Sequence, residues 1–318
     1  MNQEPILTVT LNPALDITTW TERVLPHGKL RCSSPRYDAG GGGVNVSRAI
    51  EELGGESEAF VALGGAIGDQ YAELLAVTAT ATHFWPLEGE TRFSLTVMET
   101  ETGQQYRFVL PGPLQVVEDG TRLLAELERA IQGHIRFVVA SGTLPPGLAE
   151  DIYARLIRHC HTRGVRVILD TSGPPLRAAA VERPFLMKLN QFEARDLAGD
   201  GADAIPTGEA LARTLVDRGV AETVVLTLGD IGTVLATQGQ QLLIRPPLVK
   251  VVSAVGAGDS FVGALTLCLA RGWELADAVA MGVAAAASAV TTEATELCER
   301  DSTERYFRQI LGDIEQIA

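Results

Sequence analysis

Apolar residues follow two rhythms along this chain. Short Val-, Ile- and Leu-rich runs recur at residues 6–11, 58–63, 136–140, 165–170, 184–187 and 223–226. Brief apolar runs bounded by polar or glycine residues predict strands buried on both faces, as in a parallel sheet. Between them lie stretches of helical character at residues 44–53, 69–79, 118–132 and 149–162, and Ala-rich ones follow Asp259 and span 278–292. Strands alternating with helices of this length predict a parallel sheet covered on both faces. Two segments break the rhythm. Residues 91–100 set Phe93, Leu95 and Val97 against Ser94, Thr96 and Met98, and residues 104–110 alternate again after Glu101-Thr102-Gly103, so the pair predicts a hairpin. Residues 17–38, rich in Thr, Arg and Pro, are expected as irregular strands that join the hairpin in a small sheet of their own.

Polar residues and glycines gather where the main strands end. Asp16 follows the first run, Ser141-Gly142 another, then come Asp170, Lys188-Leu189-Asn190 and Thr227-Leu228-Gly229. Polar groups at the carboxyl ends of parallel strands converge on one crevice, where open α/β sheets bind ligands. Gly40-Gly41-Gly42-Gly43 precedes a helix that carries Asn45 in its first turn, which implies a close approach to the backbone there, although a flexible linker would read alike.

Composition narrows the classes. The 318 residues are 46% hydrophobic, ample for a core, and carry a net charge of −14. Such an acidic chain is a poor match for nucleic acid or an anionic membrane, so neither partner is expected and an anionic ligand must be met by a local basic cluster. The first ten residues show no basic, apolar leader, and the uncharged stretch 278–292 is broken by Gly282 and Ser288, so a cytoplasmic location is the expectation. Cys32, Cys160, Cys268 and Cys298 have no paired spacing, which suggests neither disulfides nor a zinc site, and His159-Cys160-His161 does not share one helix face. Lysine is rare, at positions 29, 188 and 250 only, and two of the three stand beside glycine- or Asn-containing motifs.

The candidate chemistry centres on Gly256-Ala257-Gly258-Asp259, after the apolar run 248–252 and before a long helical stretch. Glycines let successive N–H groups point at one spot, and a helix N-terminus suits phosphate. A carboxylate there would repel a phosphate unless Asp259 serves as a general base beside it, although an N-cap Asp after a glycine turn gives the same pattern. Asp16 and Asn45 would bond hydroxyls, and Lys29, Arg31 and Arg92 would meet an anion, with the guanidinium able to grip two oxygens. Asn190-x-x-Glu193 places two oxygens on one helix face, fit for a magnesium shell or for a plain N-cap. No G-x-x-x-x-G-K-[ST] or strand-helix G-x-G-x-x-G occurs, which argues against P-loop and dinucleotide-binding folds.

Taken in order, Asn12-Pro13-Ala14-Leu15-Asp16, Gly28-Lys29-Leu30-Arg31, Gly40 to Asn45, Thr91-Arg92, Ser141-Gly142-x-Leu144-Pro145-Pro146-Gly147, Lys188-x-Asn190-x-x-Glu193 and Gly256-Ala257-Gly258-Asp259 resemble the ribokinase-like (PfkB-type) sugar kinases. Among them the chain looks most like the minor-type 6-phosphofructokinases, with 1-phosphofructokinases and tagatose-6-phosphate kinases close by. The resemblance implies a doubly wound, mostly parallel α/β domain over residues 1–11, 39–85 and 113–318, with residues 12–38 and 86–112 as a β-sheet lid that forms a homodimer interface. It implies ATP and Mg²⁺ as cofactors and a sugar phosphate as partner. Asp259 would be the base and residues 256–258 the anion hole. Asp16, Gly40, Gly41 and Asn45 would hold the sugar, with Arg92 and Ser141 on the substrate side and Lys29 and Arg31 near phosphates, across the dimer. Lys188, Asn190, Thr227, Gly229 and Gly232 would line the nucleotide site. Asn190 and Glu193, with Asp170, would place Mg²⁺ indirectly, and Ser253 and Val255 would offer oxygens to potassium. Many relatives have Asp-Thr ahead of this glycine loop, an Asn/Gly-rich segment where this chain reads Thr292-Glu293-Ala294-Thr295-Glu296, and Asn where it has Ser94. The expected reaction is phosphorylation of fructose 6-phosphate at O1, with tagatose 6-phosphate, fructose 1-phosphate and an inactive sugar-phosphate sensor as competing readings.

Overall fold

The computed structural model describes residues 3–317 except 116, 132, 200, 203, 204, 294, 295 and 313. Its first half runs β1 (Ile6–Thr10), β2 (Ala14–Thr21), β3 (Arg36–Gly40), α1 (Gly42–Glu52), β4 (Glu58–Leu63), α2 (Gly65–Leu75), β5 (Ala81–Pro86), β6 (Arg92–Glu99), β7 (Gln105–Val109), α3 (Val117–Ala130), β8 (Phe137–Ser141) and α4 (Ile152–His161). There follow β9 (Arg166–Asp170), α5 (Pro174–Ala180), β10 (Leu186–Asn190), α6 (Gln191–Ala198), α7 (Gly208–Asp217), β11 (Thr223–Thr227), β12 (Thr233–Ala236), β13 (Gln241–Ile244), α8 (Ala257–Ala270), α9 (Leu275–Ala289), α10 (Arg300–Ile310) and β14 (Ile314–Gln316). A ten-stranded sheet has the order β14-β13-β12-β11-β10-β9-β8-β1-β4-β5, and a four-stranded sheet the order β3-β2-β6-β7.

The apolar runs are apolar on both sides because both sides are covered. In β8, Val138 packs into a cluster with Leu123, Leu127 and Tyr153 of α3 and α4, while Phe137 and Val139 join Phe261, Leu265 and Val279 of α8 and α9 on the opposite face. Val224 and Val225 of β11 divide in the same way. Strands β5 to β11 of the large sheet are parallel, and β1 pairs with β4 on one side and β8 on the other. The chain thus winds outward from β1 in two directions, which opens a crevice at the carboxyl ends of β1 and β8. In the small sheet β2 pairs in parallel with β6, which sets Asp16 opposite Ser94.

The structure departs from the sequence reading at several elements. Helix α2 begins at Gly65, four residues before the expected Asp69, because Gly65 adopts φ +66° and the hydroxyl of Thr91 accepts the N–H of Gly64. Strand β5 was not foreseen; it is an edge strand that ends in proline, and edges tolerate such composition. Strand β10 runs on through Lys188 to Asn190, so both residues belong to the sheet. The apolar run 248–252 forms no strand, and Leu248, Val251 and Val252 stand exposed. The large sheet is instead extended by the antiparallel β12, β13 and β14. Among the described residues no helix is long and apolar enough to cross a membrane.

Candidate active site

Glycines close the crevice tightly. A Cβ on Gly40 would lie 2.0 Å from Oδ2 of Asp16, and one on Gly42 would lie 2.2 Å from Oγ of Ser141. These residues are glycine because the carboxylate and the end of β8 press on the backbone. The buried hydroxyl of Tyr71 donates to the carbonyl of Gly40 at 2.8 Å, and Oγ1 of Thr10 accepts the N–H of Val44 at 2.9 Å, so the glycine loop is anchored from two sides. Helix α8 starts from Gly256 in the left-handed conformation at φ 78°, which a side chain would resist.

A cavity of about 300 Å³ fills the crevice and is lined by Asp16, Gly41, Gly42, Asn45, Arg92, Ser94, Arg107, Ser141, Thr143, Asp170, Glu193, Val255, Gly256 and Asp259, among others. At its floor Nδ2 of Asn45 donates to Oδ2 of Asp259 at 2.9 Å. Removal from bulk water, and after it the nearby Asp170 carboxylate, push the Asp259 pKa up to about 6, against the pull of the Asn45 hydrogen bond and of Lys188 and Arg107. Burial also raises Asp16, which Arg107, Arg92 and a hydrogen bond from Ser94 draw back down. The guanidinium of Arg92 donates from Nε and Nη2 to the carbonyl of Asn12 at 3.3 and 3.1 Å and from Nη1 to that of Leu110 at 3.3 Å. Three of its five N–H groups are thereby taken up by backbone, and two remain for a ligand.

A second cavity of about 450 Å³ adjoins the first and is mostly apolar, with Leu248, Val251, Phe261 and Val283 beside Lys188, Thr227, Gly229, Ala257 and Gly258. The exposed run 248–252 thus has a place: it is one wall of this cavity. Nζ of Lys188 sits 3.3 Å from Oδ1 of Asp170, and a Cβ on Gly258 would come within 3.1 Å of that ammonium. Burial alone would lower the Lys188 pKa, but Asp170, Glu193 and Asp259 together hold it above the usual value, so it stays charged. A wider hollow of about 610 Å³ lies between Val181, Arg183, Arg218 and Gln238, at the opposite ends of the strands from the crevice.

Some expected residues stand elsewhere. Lys29 and Arg31 lie on the exposed segment between β2 and β3 and line neither cavity. Asn190 caps α6: its Oδ1 accepts the N–H of Glu193 at 2.9 Å, and Oε2 of Glu193 accepts the N–H of Asn190 at 2.8 Å, a reciprocal capping box. Glu193 also reaches the first cavity, whereas Asn190 reaches neither. Gly232 shapes the turn under Gly229, where its carbonyl accepts the N–H of Leu228 at 2.8 Å. Ser253 is buried and its Oγ accepts the N–H of Val255 at 3.2 Å; of the segment 292–296 that would complete a potassium position, residues 294 and 295 fall outside the described ones. Conversely, Ser94, Arg107 and Thr143 were not among the expected site residues and line the first cavity. For Arg107 a signal existed in the strand alternation of the hairpin, which fixes its face once the sheet's partner is known.

A hydroxyl-lined cavity, an apolar neighbour, and a helix N-terminus with a carboxylate between them suit transfer of an anionic group onto a hydroxyl. The pattern of the pfkB family carbohydrate kinases matches residues 10–302. The chain is 44% identical over 302 residues to the ATP-dependent 6-phosphofructokinase isozyme 2 of Mycobacterium tuberculosis, covering 95% of this chain and 88% of that protein. It is 36% identical to the 1-phosphofructokinase of Xanthomonas campestris, covering 83% of each. The crystal structure of phosphofructokinase-2 from Escherichia coli in complex with potassium superposes with a TM-score of 0.90 at 35% identity, covering 97% of this chain and 99% of that one. The chain belongs to the pfkB family of carbohydrate kinases and is a phosphotransferase.

Proposed function

We propose that this kinase transfers the γ-phosphoryl group of ATP to O1 of fructose 6-phosphate, giving fructose 1,6-bisphosphate and ADP. The observation that carries the reading is the shared wall: Gly256 and Asp259 face the first cavity while Ala257 and Gly258, in the same helical turn, face the second. A group that moves from one cavity to the other must pass the N-terminus of α8. The sugar phosphate occupies the first cavity, with its hydroxyls on Asp16, Asn45 and Ser141 against Gly40 and Gly41, and its phosphate near Arg92 and Arg107. The nucleotide occupies the second, with the base among Leu248, Val251 and Val283 and the phosphates near Lys188, Thr227 and Gly229.

Asp259 accepts the proton of the 1-hydroxyl as that oxygen bonds to the γ-phosphorus and the bond from phosphorus to ADP breaks. The amides of residues 256–258 hold the charge on the transferred group. Among the described residues no cluster of three acidic, His or Cys side chains would hold a metal alone. That suits Mg²⁺, which is held by one or two carboxylates together with substrate phosphates. Glu193, in the cavity wall, and Asp170 are the carboxylates at hand, and the ion would supply charge neutralisation to the phosphates.

The base must be ionised to work. Its pKa of about 6 means that kcat/KM is full above that pH and falls as pH drops through it. Because the Asn45 hydrogen bond holds that pKa down, Asn45→Ala is expected to move the acid limb to higher pH, which a limb set by the substrate's own phosphate would not do. A limb that stays in place in this variant would overturn the assignment.

The names of the Mycobacterium tuberculosis and Escherichia coli relatives favour fructose 6-phosphate, and the 1-phosphofructokinase relative keeps fructose 1-phosphate in the comparison. The test is ADP release with fructose 6-phosphate, tagatose 6-phosphate and fructose 1-phosphate side by side, each with and without potassium. A higher kcat/KM for either other sugar would replace the substrate named here and point to Ser94, which bonds Asp16 in the wall. The potassium arms read the loop of Ser253 and Val255. The small sheet acts as a lid and pairs with that of a second copy, supported by the exposed Tyr37, Phe108 and Val109. In that dimer, working in the cytoplasm, Lys29 and Arg31 reach the partner's crevice; light scattering that returns an active monomer would refute it.

A further inference from the structure

Asn12, in the short link between β1 and β2, touches neither cavity, yet three parts of the site meet on it. Its backbone carbonyl accepts both the Nε and the Nη2 hydrogen bonds of Arg92. Its side-chain Nδ2 donates to Oγ1 of Thr143 at 3.0 Å and to the carbonyl of Leu144 at 3.3 Å, and Thr143 lines the first cavity. A carbonyl can only accept, so the amide is fixed with its nitrogen toward Leu144. Its Oδ1 then faces Gly112, in the link from β7 to α3, so closely that a Cβ there would lie 2.2 Å from it. That oxygen is buried and has no hydrogen-bond partner among the described residues. A buried acceptor left without a partner costs free energy, so the amide is held there by what its other end does. Arg92 completes the arrangement, because its Nη1 bonds Leu110 two residues before Gly112.

We propose that Asn12 is a positioning residue for the sugar phosphate. It clamps two of the four links between the large and small sheets, β1 to β2 and β7 to α3, against the loop that follows β8, and so sets Arg92 and Thr143 for the ligand. This rests on the sugar-phosphate reading of the first cavity. Since the nucleotide cavity shares none of these contacts, its affinity for ATP is expected to be indifferent to the clamp.

Three variants test it. Asn12→Ala removes the clamp, Asn12→Asp keeps its shape but sets a carboxylate against the Leu144 carbonyl, and Gly112→Ala pushes on the amide from the far side while leaving Asn12 itself in place. All three are expected to raise KM for fructose 6-phosphate about tenfold, with KM for ATP and kcat within about threefold of the unmutated enzyme. A KM for fructose 6-phosphate that stays put, whatever happens to the melting temperature, overturns the positioning role, as does an equal rise in both KM values. If the fold tolerates only Gly112→Ala, that variant decides alone. The unmutated enzyme is assayed against the same sugar phosphates; should it turn over none of them, it is the substrate reading that falls.

Discussion

Replacing Asp259 with Asn is expected to lower kcat by about 10²–10⁴-fold while KM for the sugar phosphate changes little. The substitution removes one thing. Asn at this position still offers a carbonyl oxygen to Nδ2 of Asn45, which now bonds Oδ2 of Asp259 at 2.9 Å. The first turn of α8 and its amides are unaltered, since among the described residues no side chain caps that helix. What is lost is the negative charge and with it the capacity to take a proton, while Asp170 and Glu193 still hold the Lys188 ammonium charged. Steady-state kinetics in both substrates measure the effect, and the variant should also lose the acid limb near pH 6 that the carboxylate imposes. Turnover close to that of the unmutated enzyme would mean that Asp259 is not the base and that some other group receives the hydroxyl proton.

The packing of α8 is what sets one turn of helix in the walls of both cavities. Its residues 260–270 are buried against α1 and α9, which anchors its half-buried N-terminal turn between the cavities. Lys188 and Asp170 extend the same partition, the ammonium facing the second cavity and the carboxylate the first. Charge is therefore balanced across the wall before any ligand arrives. A site preorganised in this way need not rearrange as charge moves from one cavity to the other.

Much of this was legible in the sequence because parallel strands advertise themselves. The runs at β1, β4, β8, β9 and β11 are apolar on both faces, and the polar residues at their ends had one crevice available to them. What escaped was set by partners distant in the chain. Strand β5 is stabilised by pairing with β4 and not by its own composition, since Phe84 and His83 are exposed. The run 248–252 lines the second, apolar cavity instead of joining a sheet, a distinction that periodicity cannot draw. Arg107 reaches the first cavity because the hairpin β6–β7 packs over the crevice; the alternation of the hairpin gave its face but not which cavity that face would meet. Asn190 and Glu193 carried two readings at once, and the structure shows the capping box together with a carboxylate in the cavity wall.

Arg92→Ala carries the second large expected effect, a rise in KM for the sugar phosphate of roughly 10–150-fold, from the ~1.5–3 kcal/mol typical of hydrogen bonds to a charged group. The residue has two tasks that alanine abandons together. It ties the carbonyls of Asn12 and Leu110, from two of the four links to the small sheet, and its remaining two N–H groups are left for the cavity it lines. Its charge also lowers the pKa of Asp16, which burial raises; without Arg92 that carboxylate protonates at higher pH, so the loss in kcat/KM should deepen as the solution is acidified. Arg92→Lys separates charge from geometry. An ammonium restores the positive charge near Asp16 but cannot span two carbonyls and still present a fork to a phosphate. Lysine should accordingly correct the pH dependence while recovering little of the KM. If lysine instead restored KM in full, Arg92 would be acting as a point charge alone, and the planar grip argued for here would be wrong.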